Sequence, residues 1–184
     1  MPDGMEVPGA AEDHKKKSIL REVMESLIIA VILALLIRTY IFQPFFIPSG
    51  SMEPNLRIDD HIIVNKIDYR IWAPQRGDIV VFKYPKDTSR DFVKRLIGLP
   101  GEKVEIKNSK VFINGNELKE DYLPRGLKYD NYGPVTVAPD SYLMLGDNRD
   151  NSEDSRVWGL LPKNLIIGKA VMIYWPLNRL SILN

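Results

Sequence analysis

Hydrophobic residues follow two different patterns along the 184-residue chain. Every residue from Leu27 to Ile37 is apolar, so a helix over this run has no polar face. After Pro48, polar and apolar residues alternate in short runs that are separated by turn signals such as Asn114-Gly115. The first pattern predicts a uniformly apolar helix, and the second predicts a domain built from short strands.

The second pattern predicts a mostly β fold with antiparallel strands, because no long amphipathic helical stretch lies between the runs. Period-two runs that are bounded by glycine, proline and asparagine are typical of strands. The predicted strands are Ile58–Lys66, Asp78–Tyr84, Phe92–Gly98, Lys103–Ile106, Lys110–Ile113, Pro134–Val137, Ser141–Leu145 and Ile166–Trp175.

The apolar helix is long enough to cross a membrane. A helix over residues 26–43 spans about 27 Å, close to the hydrocarbon thickness of a bilayer, if the guanidinium of Arg38 reaches the headgroups. A buried core helix is one alternative, but a chain of this size has little core in which to bury it. A removable signal peptide is another, but no small-x-small cleavage site follows Ile37. We therefore expect an uncleaved signal anchor.

Basic residues are concentrated before the apolar segment, and after Arg38 the next one is Arg57. The positive-inside rule then places the N-terminus in the cytoplasm and the β domain outside it. The basic residues that precede the segment are Lys15, Lys16, Lys17 and Arg21. The expected organisation is a cytoplasmic tail (1–25), a transmembrane signal anchor (26–43) and an extracytoplasmic β domain (44–184).

The composition limits the chemistry that the chain can perform. The 25 Lys and Arg residues nearly balance 24 Asp and Glu residues, and this net charge of +1 does not favour a nucleic-acid partner. The absence of cysteine excludes a thiolate metal site and a cysteine nucleophile, and two histidines are too few for a His-rich metal cage. We therefore expect neither a metal nor a cofactor.

A serine pair lies just beyond the predicted membrane exit. Ser49-Gly50-Ser51 is flanked by apolar residues, although serine and glycine are also common in ordinary turns. A nucleophilic serine needs a partner base, and His61 is the only histidine in the predicted β domain. Because His61 falls within a predicted strand, it is more typical of a partly exposed strand residue than of a base.

A lysine in an apolar strand is the other candidate base. Strand alternation places Lys94 on the face that Phe92 and Leu96 share, with Arg95 on the opposite face. Burial among apolar side chains lowers the pKa of a lysine, and a value of about 7–8 makes it a usable base. The alternative is an edge-strand lysine that prevents aggregation, and the spacing alone leaves both interpretations open.

A loop rich in charged and amide side chains covers residues 146–159. The oxygens of Asp150, Ser152 and Asp154 alternate as in a calcium loop, but Leu161 stands where such a loop needs a bidentate glutamate. The loop can instead satisfy itself through hydrogen bonds and ion pairs. Such a loop is rigid enough to present one hydroxyl accurately to an active site.

Together these segments resemble the bacterial type I signal peptidases, or leader peptidases, over about residues 38–175. In order, the motifs are a membrane span, Ile47-Pro48-Ser49-Gly50-Ser51-Met52, Arg76-Gly77-Asp78-Ile79-Val80-Val81-Phe82, Val93-Lys94-Arg95 and the loop 146–159. The resemblance implies an antiparallel β catalytic domain on one transmembrane helix in the bacterial plasma membrane. It also implies a serine endopeptidase that uses a Ser/Lys dyad to remove signal peptides from secretory preproteins, with those preproteins and the lipid bilayer as partners.

The resemblance further implies roles for individual residues. Ser51 matches the nucleophile, and Lys94 matches the general base. Ser49 matches a hydroxyl that forms the oxyanion hole with the backbone N–H of Ser51, and Ser152 matches the residue that orients the lysine amine. The implied structural ion pairs are Arg95 with Asp147 and Arg156 with Asp154. The implied substrate cleft is lined by Phe45, Ile47, Met52, Leu56, Ile62, Val81, Asp91 and Val93.

Departures from the family pattern are small: Asn55 stands where threonine is usual, and Glu102 stands where aspartate often follows Pro-Gly. Three other functions fit parts of the pattern. Self-cleaving repressor proteases share the Ser/Lys chemistry, but they carry an N-terminal DNA-binding domain where this chain has an apolar segment. An inactive membrane-anchored scaffold would have lost Ser51 or Lys94, and both are present. A metal-dependent membrane protease would need an HExxH motif, which the sequence lacks.

Overall fold

The computed structural model describes residues 9–183, with side chains from residue 21 onward, and it divides the chain into two units after Ile41. The first unit contains helix α1 (Gly9–Tyr40). The second unit, from Phe42 onward, contains every strand of the described chain. Part of the predicted tail, residues 1–8, lies outside the described residues, and the remainder of the tail belongs to α1.

Helix α1 carries the predicted membrane anchor. By length and composition, its segment Arg21–Tyr40 can cross a membrane, and none of the apolar window within it is buried against the rest of the chain. The helix ends at Tyr40, before the predicted end at residue 43, because Pro44 restricts the preceding residue to extended conformations and strand pairing begins at Phe42.

The β domain contains two antiparallel sheets. The larger sheet has the order β1-β2-β11-β3-β4-β9-β10, with β12 paired to β11, and the smaller has the order β7-β6-β5-β8. In chain order the strands are β1 (Phe42–Phe46), β2 (His61–Asn65), β3 (Ile79–Tyr84), β4 (Asp87–Gly98), β5 (Lys103–Lys107), β6 (Lys110–Ile113), β7 (Asn116–Glu117), β8 (Tyr132–Thr136), β9 (Ser141–Leu145), β10 (Leu161–Pro162), β11 (Ile166–Trp175) and β12 (Ser181–Ile182). The short helices are α2 (Asp68–Ile71) and α3 (Ser155–Trp158).

The mostly β, antiparallel prediction is confirmed, and β6, β9 and β11 have the predicted bounds. Strand β2 is shorter than predicted because a turn precedes it, in which the backbone N–H of Asp60 donates to the carbonyl of Arg57 at 3.1 Å. Strand β4 starts earlier than predicted, at Asp87, because its polar first half pairs with β3 across a hairpin. The periodicity missed β1, which continues the apolar run of the anchor, and the two-residue strands β7, β10 and β12.

Strand β3 is central to the core because both of its faces are buried. On one face, Ile79 and Val81 belong to a cluster that also contains Met52. On the other face, Val80 and Phe82 belong to a second cluster, which includes Leu96 of β4. A third cluster, centred on Ile97, Val104 and Leu143, joins β4 and β9 to the smaller sheet. The candidate nucleophile and the candidate base therefore lie on elements that the core holds rigidly.

Gly146 directly follows β9 and allows the next loop to pack closely against the serine motif. A Cβ atom at this position would lie 2.5 Å from the carbonyl oxygen of Ser51 and 2.1 Å from the Oγ of Ser152. Any other residue would push the loop away from both serines, since real Cβ atoms do not approach other atoms that closely.

Candidate active site

Ser51 lies in a single 3₁₀ turn, Gly50–Met52, that the core holds from below. The side chains of Met52 and Leu56 are completely buried, and the N–H of Leu56 donates to the carbonyl of Met52 at 2.9 Å. Just before the turn, the N–H of Ile47 donates to the carbonyl of Asp60 at 2.9 Å. The apolar residues on either side of the Ser-Gly-Ser motif thus anchor the turn and leave the Ser51 hydroxyl at the surface of the core.

Lys94 extends from β4 to this turn. Its Nζ lies 2.7 Å from the Oγ of Ser51 and 2.9 Å from the carbonyl oxygen of Val93. The nitrogen also lies 5.3 Å from the centre of the Phe92 ring, as the predicted strand alternation requires. The lysine amine and the serine hydroxyl are therefore already within hydrogen-bonding distance of each other.

The environment of Lys94 disfavours its charged form. Lys94 is only 3% exposed, and no carboxylate within residues 21–183 forms an ion pair with it. Burial lowers the pKa of Lys94 from about 10.5 to about 8, while the more distant carboxylates of Asp154, Glu153 and Asp147 act in the opposite direction. A large fraction of this lysine is consequently neutral at mildly alkaline pH, which a proton acceptor must be.

The two residues open onto a cleft of about 570 Å³. Its walls come from the turn around Ser51 and from the segment of β4 that precedes Lys94, and the loop after β9 closes one side. The lining includes Ser49, Ser51, Asp91, Val93, Lys94 and Glu153. Ser49, the predicted oxyanion-hole residue, is exposed at the rim.

Ser152 is near the cleft but does not make the contact expected of it. Its hydroxyl oxygen is buried and has no hydrogen-bond partner among the described residues. The Nζ of Lys94 instead donates to the carbonyl of Val93. The predicted hydrogen bond between Ser152 and Lys94 is thus not formed in this structure, and the hydroxyl stays available for one.

The predicted cleft residues divide into two groups. Asp91 and Val93 line the cleft, and Phe45 is half-buried against the neighbouring core. The other predicted residues are buried in that core, beneath the cleft rather than at its surface: Ile47, Met52, Leu56, Ile62 and Val81. Their role as substrate contacts stays a prediction, because in this structure they belong to the core and do not line the cleft.

Both predicted ion pairs are present, and both hold the loop after β9. The guanidinium of Arg95 donates to the two carboxylate oxygens of Asp147 at 2.8 and 2.7 Å, with both side chains buried. Arg156 donates to Asp154 at 2.8 Å from Nε and from Nη2. Asp154 also accepts a hydrogen bond from the N–H of Gly146 at 3.0 Å. These contacts tie the two ends of the loop together next to Lys94.

Asn148 and Asn55 connect this loop to the serine turn, a role that the sequence patterns did not predict for either side chain. The backbone N–H of Asn148 donates to the carbonyl of Ser51 at 3.1 Å, and its Nδ2 donates to the carbonyl of Gly50 at 3.0 Å. The Nδ2 of Asn55 donates to Asp147 at 2.8 Å. Two sequence features could have indicated these roles: Asn148 lies within the loop motif, and Asn55 replaces the threonine that is usual at its position.

A second network, which the sequence did not predict, clamps the loop from its other side. Arg149 is 1% exposed, and its Nη1 donates to Glu120 at 2.9 Å and to the hydroxyl of Tyr129 at 3.1 Å. The ring of Tyr122 lies 4.0 Å from the guanidinium carbon of Arg95, in cation–π contact. Residues 120–129 thereby contact both Arg149 within the loop and Arg95 of β4.

Known proteins with related sequences are signal peptidases. A family model described as signal peptidase, peptidase S26, matches residues 20–175. The probable signal peptidase I-2 of Synechocystis sp. is 45% identical over 168 residues, covering 88% of this chain and 76% of that protein. Signal peptidase I of Leptolyngbya laminosa is 44% identical over 180 residues, covering 94% of this chain and 88% of that protein. A solved signal peptidase I from Enterococcus faecalis is 36% identical, with a TM-score of 0.49, and covers 53% of this chain and 97% of that chain.

The fold and the site define a class of protein, an antiparallel β serine endopeptidase in which a lysine lies beside the serine. The family model covers most of the chain, and two relatives exceed 40% identity over most of their own length. The chain belongs to the signal peptidase family, peptidase S26.

The clamp around Arg149 predicts a large stability effect. Replacing Glu120 by glutamine removes the charge that neutralises a buried guanidinium, and breaking a buried ion pair in this way costs about 3–5 kcal/mol. We expect Glu120→Gln to lower the free energy of unfolding by about 3 kcal/mol, measured by urea denaturation of the full chain in detergent with tryptophan fluorescence. The matched control is Glu117→Gln, because Glu117 pairs with Lys110 at an exposed position and surface pairs contribute about 0–1 kcal/mol. Equal effects of the two variants would contradict the clamp.

Proposed function

We propose that Ser51 is the nucleophile and Lys94 the general base of this signal peptidase. As a member of its family, the chain is a serine endopeptidase that cleaves N-terminal signal peptides from exported preproteins. The observation that carries the residue assignment is the 2.7 Å distance between the Nζ of Lys94 and the Oγ of Ser51, in surroundings that lower the lysine pKa. His61, the other candidate base, contacts Phe46 and Tyr174 instead.

The proposed reaction has two stages. Neutral Lys94 takes the proton from the Ser51 hydroxyl as the oxygen attacks the carbonyl carbon of the scissile bond. The resulting ammonium then gives that proton to the leaving amine, so the mature protein departs and the signal peptide stays attached to Ser51 as an ester. A water molecule, deprotonated by the same amine, attacks the ester and restores the serine hydroxyl.

The developing oxyanion needs hydrogen-bond donors, and Ser49 and Ser51 line the same cleft. We assign them to the backbone N–H of Ser51 and the hydroxyl of Ser49, which lines the same cleft. Removing one such donor in a serine protease typically costs about 3–4 kcal/mol of transition-state stabilisation. Ser152 is proposed to orient the Lys94 amine, and its buried, unpartnered hydroxyl supports that role.

The substrate is proposed to bind as an extended chain along an open strand edge. In the described chain β1 pairs with β2 on one side only, and it leads directly into the Ser51 turn. A peptide that adds to such an edge alternates its side chains, so the residues one and three before the cut point the same way. We propose that these two side chains meet the floor formed by the predicted cleft residues, which favours small residues at both positions.

The enzyme is proposed to be anchored in the bacterial plasma membrane by the segment Arg21–Tyr40 of α1, with its N-terminus in the cytoplasm. The length and apolar composition of this segment support the span. Lys15, Lys16 and Lys17, which precede this segment, and Arg21, its first residue, support the orientation. Since Ser51 follows the span closely in sequence, the nucleophile stays near the surface where a signal peptide leaves the bilayer.

The dyad predicts that Ser51→Ala, Lys94→Ala and Lys94→Arg all lack activity. The first removes the nucleophile, the second removes the base, and the third replaces it with a guanidinium that keeps its proton. We expect each to reduce kcat for cleavage of a purified preprotein by about 10⁴-fold or more. The matched controls are Ser181→Ala and Lys107→Ala, which change the same residue types at exposed positions. Ordinary processing by Ser51→Ala or Lys94→Arg would rule out the assigned roles.

The lowered pKa of Lys94 predicts how cleavage depends on pH. The base must be neutral, so kcat/KM should fall as the pH drops below about 8 and rise to a plateau above it. Replacing Glu153 by glutamine removes a charge that raises the pKa of Lys94, so the midpoint should move to lower pH. Glu117→Gln, on the smaller sheet, is the control and should leave the midpoint in place. A midpoint that stays fixed or rises in Glu153→Gln would refute this electrostatic account.

The proposed orientation predicts which side of the membrane the β domain occupies. Protease added to intact spheroplasts should digest the chain beyond Pro48, while a cytoplasmic marker protein in the same cells stays whole. Complete protection of the β domain under these conditions would reverse the orientation.

A further inference from the structure

A second cavity of about 310 Å³ lies in the β domain and shares no lining residue with the cleft at Ser51. Its charged walls come from Lys66 after β2, Arg70 of α2 and Lys163 after β10. Tyr69 and Ile166 are among the uncharged residues that line it. Three cations from separate segments of the chain therefore surround one concave surface.

The positive charge of this cavity is not neutralised by its own walls. None of the described residues that line it is acidic. Asp78 lies nearby, but it is engaged by Lys169 at 2.7 Å and by the hydroxyl of Tyr69 at 3.0 Å. In the part of the chain with described side chains, neither Arg70 nor Lys163 forms an ion pair. Such a surface favours an anion with several acceptor oxygens, as a phosphate group has.

Apolar residues next to the cavity indicate where that anion comes from. Ile71 and Trp72 directly follow Arg70, and they are 65% and 68% exposed. Large apolar side chains beside cations are typical of protein surfaces that contact a membrane interface, where tryptophan is enriched. Trp72 therefore points to a ligand that combines a phosphate with a hydrocarbon phase, rather than to a free anion.

The position of the cavity in the chain agrees with this. The Nζ of Lys66 donates to the side-chain oxygen of Gln43 at 3.3 Å. Gln43 belongs to β1, which starts at Phe42, two residues after the end of α1 at Tyr40. One wall of the cavity is thus bonded to the first strand after the segment that can span a membrane.

We propose that this cavity binds the phosphate of an anionic phospholipid in the leaflet that faces the β domain. Lys66, Arg70 and Lys163 hold the phosphate oxygens, and the side chains of Ile71 and Trp72 enter the interfacial region beside it. The inference goes beyond signal-peptide cleavage and rests only on the proposed membrane anchoring. A bound lipid at this point ties the β domain to the bilayer surface at a second place besides the anchor.

The test is a lipid titration of the full chain in detergent, followed by native mass spectrometry. The probe is phosphatidylglycerol, with phosphatidylcholine as the zwitterionic comparison. The variant is Arg70→Gln/Lys163→Gln, and the matched control is Lys103→Gln/Lys107→Gln, which removes the same charge from exposed positions on the smaller sheet. Each cation near an anionic lipid contributes about fivefold in affinity, so we expect the variant to bind its first phosphatidylglycerol about tenfold or more weakly. The control should bind like the wild type.

Each other outcome would overturn the proposal. Unchanged binding by the variant would show that Arg70 and Lys163 do not form the site. An equal loss in the control would show that the effect depends only on net charge. Equal affinity for phosphatidylcholine would exclude recognition of an anionic lipid. Displacement of the lipid by millimolar inorganic phosphate would assign the cavity to a free anion. Cleavage of a peptide substrate by the same preparations verifies folding, and it keeps a failure of lipid binding separate from a failure of the proposed catalytic dyad.

Discussion

The burial of a lysine amine beside a serine hydroxyl determines how the rest of the active site is built. An ammonium group loses its hydration when Lys94 is 3% exposed, and that loss lowers the lysine pKa to about 8. The position is stable only if the strand that carries the lysine cannot move to expose it. Strand β4 meets that requirement because it pairs with β3 and β9 and contributes Leu96 and Ile97 to two core clusters.

The polar groups around the dyad hold together three segments that are distant in the chain. Hydrogen bonds and an ion pair connect the serine turn, β4 and the loop after β9. Arg95 links β4 to Asp147, and Asn148 links the loop to the carbonyls around Ser51. Arg149 then joins the loop to Glu120. Because these charges are buried in pairs, loss of either partner leaves an uncompensated charge, which favours a single arrangement of the site.

Local sequence patterns were sufficient for the features that depend on local spacing. Period-two alternation predicted β6 and β9 with their bounds and placed Lys94 on the face of Phe92. Contacts between distant segments leave no such period: nothing near Glu120 indicates Arg149, and the motif resemblance did not reveal the hydrogen bonds of Asn148. The same limit explains why residues such as Met52 and Leu56 were predicted to line the cleft. Tertiary packing, which the local pattern does not show, buries both side chains in the core. Ser152 is close to Gly146, as its motif suggests, yet its hydroxyl does not contact Lys94.

The protonation of the Lys94 amine can be measured without catalysis. Full-length protein labelled with ¹³C at lysine Cε can be titrated in detergent by NMR, with the signal of Lys94 assigned by its absence in Lys94→Arg. A lysine in a model peptide titrates at about 10.4. We predict that the Lys94 signal changes at about pH 8. A Lys94 signal that changes near that model-peptide value would show a permanently charged amine at neutral pH, and would contradict its role as the base.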